Sequence, residues 1–104
     1  MPAGRLAEYR LTPQAEADLG SIWRYTARTW SVDQAEAYVA SFESSFHLLL
    51  GTPEIARERT EITPPVRLYR HRSHWIIYRT EAGHLLIVRI VHVRRNWQAL
   101  VDGS

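Results

Sequence analysis

Cysteine is absent from the 104-residue chain, so no disulfide forms and no thiolate is offered to a metal, a composition suited to a reducing compartment. Lysine is absent too, and arginine supplies all thirteen basic side chains, a bias acting on the whole sequence. No stretch approaches the roughly 18 apolar residues of a membrane span. The opening MPAGRLAEYRL lacks the apolar centre of a signal peptide. A cytoplasmic protein with no membrane contact is therefore expected. No repeat, low-complexity tract or linker interrupts the sequence, so a single domain over 1–104 is expected.

What is present favours a packed core over disorder, with 45% hydrophobic residues and four tryptophans. Net charge is only +2, but it is unevenly placed. Residues 1–56 carry four Arg against seven acids, a balance of −3; residues 57–104 carry nine against four, a balance of +5. The C-terminal half is the electropositive one, either as a binding face or as a by-product of the arginine bias.

Residues 6–11, LAEYRL, alternate Ala7, Tyr9 and Leu11 with Glu8 and Arg10, the pattern of a half-exposed strand. Thr12 and Pro13 then give an N-cap and a first helical residue whose missing N–H costs nothing. Ala15, Leu19, Ile22, Trp23 and Ala27 form the apolar stripe of that helix. Ser31 and Gln34 have capping-box spacing, so a second helix starts near Val32. Its stripe is Ala35, Tyr38, Val39, Phe42, Phe46, Leu49 and Leu50, ended by Gly51 and Pro53. The two helices form a hairpin. TEITPPVR, residues 60–67, reads as a surface loop.

Three β-type runs follow at 66–70, 74–80 and 84–93, separated by short polar breaks, and predict consecutive antiparallel strands. The last is apolar enough to lie inside the sheet with the helices on one face. The expected order is β-α-α-β-β-β, an α+β fold in which a helical hairpin packs on a small, four-stranded antiparallel sheet. By alternation, His92 should share a face with Val88, Ile90 and Arg94, with Arg89 pointing the other way.

Tyr9, Leu11, Thr12, Pro13, Ala15, Asp18, Leu19, Ile22 and Tyr25 open a pattern that continues through Trp30, Gln34, Ala35, Tyr38 and Pro53. It runs on through Arg67, His74, Tyr78 and Arg79 to the closing Arg89, Ile90, Val91, His92 and Arg94. In this order the chain resembles the toxins of type II toxin–antitoxin modules, the RelE/ParE superfamily, and within it the ParE branch. The likeness runs from Tyr9 to about Leu100 and implies a RelE/ParE-like fold. Asn96 departs from the acid that many such sequences carry two residues after the last Arg, so a salt bridge there is not assumed.

The resemblance implies a toxin that inhibits DNA gyrase, and so replication, without catalytic chemistry or cofactor, and is neutralised by a ParD-like antitoxin in a heterotetramer or larger assembly. HVRRNWQALV holds the residues expected at the gyrase surface, Arg94, Arg95 and Trp97. Trp23, Tyr38, Arg67, Arg70 and Arg79 are assigned to the antitoxin. No reader motif for sequence-specific nucleic acid binding is present, and no metal site is expected.

Two other readings stay open. In the first, a RelE-like ribosome-dependent mRNA endonuclease, His92 serves as base and Tyr78 as proton donor. Arg89, with Arg70, Arg72, Arg94 and Arg95, would hold the phosphate. Against it, no lysine matches the Lys-rich sites of RelE members. In the second, an inactive member only binds antitoxin for autoregulation. Structural roles compete at each position: His92 bonded to a carbonyl, Asp18 or Tyr25; Arg79 and Arg89 paired with helix acids such as Glu36 or Glu43; Trp97 plugging the core.

Overall fold

The structure is a computed structural model and describes residues 6–101. Strand β1 (Glu8–Leu11) leads into helix α1 (Pro13–Thr29) and helix α2 (Val32–Gly51), followed by a short 3-10 turn at Pro53–Ile55. Then come β2 (Glu58–Arg59), β3 (Val66–His71), β4 (His74–Glu81), β5 (His84–His92) and a last short helix α3 (Trp97–Val101). The α+β arrangement of a helical hairpin on a small sheet is as the sequence predicts.

Local chemistry sets the element ends. Thr12 caps α1 by accepting a hydrogen bond from the Ala15 amide, and Ser31 caps α2 by accepting from the Gln34 amide. Between β4 and β5 the two-residue turn Ala82–Gly83 has φ of 47° and 83°, the paired positive values that match a hairpin to strand twist.

The sheet differs from expectation in two respects. It has five strands in the order β1-β5-β4-β3-β2, because the two-residue β2 adds to the outer edge of β3. It is also mixed, since β1 runs parallel to β5, with Tyr9 opposite Leu85 and Leu11 opposite Ile87. The helical hairpin between them returns the chain to the same side, so β1 and β5 share a direction while β3, β4 and β5 alternate.

Both faces of the sheet are packed. On the helix side, Ala15, Ile22, Phe42, Phe46 and Leu49 meet Ile76, Tyr78, Leu85, Ile87 and Ile90. On the other side, Val66, Leu68, Ile77, Val88 and Val91 are covered by Val101, with Trp97 and Leu100 of α3, and by Ile62. Ile62 is only 4% exposed. The 60–67 segment is thus a lid as well as a loop, its polar residues outward and Ile62 inward.

A bulge in β5 reverses the alternation expected there. Ile77 pairs with Arg89 and Tyr78 with Ile87, leaving Val88 as the extra residue. Ile87 and Ile90 therefore both face the helices, while Val88 and Val91 both face α3. The predicted grouping of His92 with Val88 is corrected by this one-residue insertion.

The bulge lies where β1 has ended and β5 continues without a strand neighbour on that side. Side chains and backbone of α1 take over. The Thr12 amide donates to the Ile87 carbonyl at 3.0 Å, and Thr12 Oγ1 donates to the Val88 carbonyl at 2.7 Å. Asp18 Oδ2 accepts from the Ile90 amide at 2.9 Å, and the same carboxylate receives Arg89 Nε and Nη2 at 2.8 and 2.9 Å. Asp18→Ala leaves the half-buried Arg89 guanidinium and the Ile90 amide without a partner and should lower stability by about 2–3 kcal/mol. Thr12→Val, which keeps shape but loses cap and clamp, should cost about 1–2 kcal/mol, both read from urea denaturation midpoints.

Candidate functional site

A concavity opens where α1, the start of α2, the β3–β4 turn and the end of β5 meet. It is a groove of about 720 Å³, and its wall on the helix side carries Ile22, Tyr25, Trp30, Ala37 and Tyr38. The facing wall carries Arg72, Ser73, His74, Arg89, His92 and Arg95, with Leu100 at one end. Tyr25 and Trp30 are 61% and 71% exposed, so an aromatic shelf stands open to solvent beside an arginine-bearing rim.

Three histidines enter this region from adjacent strands. His71 is buried against Phe42, its Nε2 2.8 Å from Ser41 Oγ and its Nδ1 2.7 Å from Ser45 Oγ. Burial, and next the Arg72 charge, hold its pKa below the ordinary value. His74 Nδ1 lies 2.7 Å from the Tyr38 hydroxyl, and its ring meets the ring of His92 edge to face at 5.3 Å. Its pKa is lowered to about 4, by burial first and then by His92 and His71, with Asp18 opposing. Nδ1 of His92 accepts from the Arg94 amide at 3.1 Å. Although these imidazoles gather, no group of three or more potential ligands is placed to hold a metal ion among the described residues.

The residues of the nuclease reading do not assemble. His92 and Arg89 do line the same groove, although the register keeps them on alternate faces as expected: Arg89 reaches it around the edge of β5 that β1 leaves uncovered, by pairing with Asp18. Tyr78 has no exposed surface; its hydroxyl donates to the Pro53 carbonyl at 2.8 Å, and burial pushes its pKa up to about 12. That removes it from any substrate. The acid paired with Arg89 is Asp18, in place of Glu36 or Glu43, and this hydrogen-bonded pairing raises the Arg89 pKa. His92 makes its side-chain bond to the Arg94 amide instead of to Asp18 or Tyr25.

Of the residues assigned to a target surface, Arg94 and Arg95 are exposed in the turn after β5, and Arg95 reaches the groove rim. Trp97 is half-buried as the first residue of α3, packed on the second core with the Arg59 guanidinium 5.8 Å above its ring. Its part is closer to a plug than to an exposed anchor.

The residues assigned to an antitoxin are spread out. Tyr38 is in the groove, and Trp23 sits half-buried on α1. Arg70 donates to the Arg72 carbonyl, at the turn bordering the groove. Arg67, which donates to the Ala56 carbonyl, and Arg79, paired with Glu81 at 2.6 Å, line a smaller hollow with Pro64 and Pro65. Sequence reasoning did not single out His71 and its serines. The i, i+4 spacing of Ser41 and Ser45 on α2 was the available signal, silent about which imidazole they meet.

Because His74 is held neutral, the fold loses stability on acidification. The unfolded chain takes up this proton near the ordinary 6.5 and the folded chain only near 4, so the His74 contribution is complete above pH 6.5 and lost progressively as pH falls toward 4. Urea midpoints measured across this window should fall toward the acid end, and His74→Gln should flatten the slope.

The family described as "ParE toxin of type II toxin-antitoxin system, parDE" matches residues 9–97. "Toxin ParE1" of Mycobacterium tuberculosis is 37% identical over 89 residues, covering 85% of this chain and 91% of that protein. "Toxin ParE" of Escherichia coli is 34% identical over 90 residues, covering 86% and 87%. A solved chain titled "Chromosomal ParDE TA system from P. aeruginosa" superposes with a TM-score of 0.74 at 19% identity, covering 88% of this chain and 100% of that one. The fold agrees with that structure, and the matched span includes α1, α2 and every groove residue from Asp18 to Arg95. The chain belongs to the ParE toxin family of type II toxin–antitoxin systems.

Proposed function

We propose that this chain acts as a binding toxin: it docks on DNA gyrase, favours the cleaved-DNA complex and so blocks replication, until a ParD-like antitoxin lying in the groove neutralises it. The observation that carries this reading is the open groove itself, with its aromatic shelf beside an arginine-bearing rim. Such a surface suits an amphipathic segment whose apolar side meets Tyr25, Trp30 and Tyr38 and whose acidic side meets Arg72 and Arg95. A segment that orders only on binding would supply both.

A docking function is also supported by how the polar groups are committed. Arg89 is tied by Asp18, Tyr78 is in the core, and His92 Nδ1 is used by a backbone amide. A nuclease needs base, acid and phosphate clamp free and adjacent at one bond. The relatives named "Toxin ParE" and the structure titled as a ParDE system fit a partnered toxin. On this reading Arg94 and Arg95 face gyrase, Trp97 holds α3 beneath them, and Tyr38 and Arg70 meet the antitoxin. Trp23, Arg67 and Arg79 join that contact where the partner continues along α1 and past the sheet edge. The assembly is a hetero-oligomer in the cytoplasm.

Induction of the chain without antitoxin in growing bacteria tests the target surface. Unmodified protein should arrest growth, and the folded Arg94→Glu/Arg95→Glu double variant should restore colony counts by roughly tenfold or more, since charge reversal at a rim weakens steering and fit. Tyr78→Phe should stay toxic, losing only about 1 kcal/mol of stability from its hydrogen bond. Toxicity abolished by Tyr78→Phe in a folded protein would contradict the proposal.

A further inference from the structure

His71, His74 and His92 form a row across the sheet: His71 pairs with His74 over the β3–β4 hairpin, and His74 pairs with His92 across β4 and β5. The first is enclosed by two serine hydroxyls and buried. The other two line the groove.

The hydrogen bonds fix what His92 must be. A backbone amide only donates, so the Nδ1 that accepts from the Arg94 N–H carries a lone pair and no proton. The same short turn is held by two further bonds, Arg95 amide to the His92 carbonyl and Val93 amide to the Ser73 carbonyl, each at 2.9 Å. His92 thus ties down, through its side chain and its carbonyl, the segment that carries Arg94 and Arg95 and leads into α3.

Charged and polar groups reach the pair from every element packed against it. Helix α1 presents Asp18, already engaged by Arg89 and the Ile90 amide. Helix α2 presents the Tyr38 hydroxyl, the β3–β4 turn presents Arg72 and Ser73, and β3 presents His71. β5 and its turn add Arg89, Arg94 and Arg95. A proton on His92 removes the acceptor for Arg94, puts a cation 5.3 Å from the His74 ring and adds charge to an arginine-bearing rim.

We propose that His74 and His92 are a proton-operated latch on this groove: neutral imidazoles hold the turn Val93–Asn96 against the sheet, and a proton on His92 frees the turn, shifting Arg95 at the rim. The consequence for a bound partner rests on the groove reading above, whereas the latch belongs to the chain alone. Acidification would then loosen the grip on a segment that Arg95 helps to hold, a coupling that is reciprocal, so that a partner bound to the held turn would disfavour the proton on His92.

NMR on the isolated, isotope-labelled chain from about pH 8 to about pH 4.5, the range in which imidazoles change charge, tests this. Ring signals of each histidine are followed alongside hydrogen exchange at the Arg94 and Ile90 amides. Arg94 should lose protection by roughly tenfold or more, corrected for intrinsic exchange, in step with the His92 ring, while Ile90 stays protected by Asp18. In His92→Gln the Arg94 amide should show no such step. His74→Gln, which keeps an acceptor for Tyr38 but removes the facing imidazole, should move the step to a different pH. Constant Arg94 protection through the His92 titration, a step that persists in His92→Gln, or a step unmoved by His74→Gln would each overturn the latch. A partner that binds elsewhere would alter none of these readouts, so failure of the groove reading is separately recognised.

Discussion

The Asp18 carboxylate is the contact on which the rest of the arrangement depends. β1 stops at Leu11 while β5 runs on to His92, and the uncovered stretch of a central strand must have its backbone groups satisfied. Thr12 and Asp18 do this from α1, so the helix crosses the sheet at one place and one angle. Asp18 accepts from the Ile90 amide and from two nitrogens of Arg89, so helix, strand and guanidinium are fixed together. The groove is the space this crossing leaves between the far end of α1, the start of α2 and the end of β5.

From that constraint follows the chemistry the site has and the chemistry it lacks. An arginine neutralised by a carboxylate that also serves a backbone amide is poorly placed to clamp a migrating phosphate charge. A tyrosine inside the core cannot give a proton to a leaving group. The cations at the rim, Arg72 and Arg95, remain exposed or lining, and the aromatic surface stands beside them. On the proposed reading, a partner is recognised there by shape and charge.

Much of the fold was legible because local rules and tertiary packing agree. The caps at Thr12 and Ser31, the stripes of α1 and α2 and the β-type runs of β3 and β4 all read directly from the residues. The parallel pairing of β1 with β5 was not legible, since edge order depends on how the hairpin returns the chain. Nor was the bulge at Val88, because Leu85, Leu86, Ile87 and Val88 are consecutive apolar residues on both faces and do not mark a change of phase. That one residue separated Val88 from the face that Ile90 shares with His92, while Arg89 joins the groove through Asp18 at the strand edge. The partners of long side chains were also hidden: Arg89 meets Asp18, seventy-one positions away, and nothing in the sequence ranks Asp18 over Glu36 or Glu43.

Docking on gyrase is the proposed mode of action. Purified protein should be assayed with gyrase for supercoiling and for the cleavage complex, beside a translating-ribosome mRNA cleavage assay on the same preparation. Loss of supercoiling with trapped linear DNA and intact mRNA is the predicted result. Cut mRNA with unimpaired gyrase would contradict it and return His92 and Arg89 to catalytic roles.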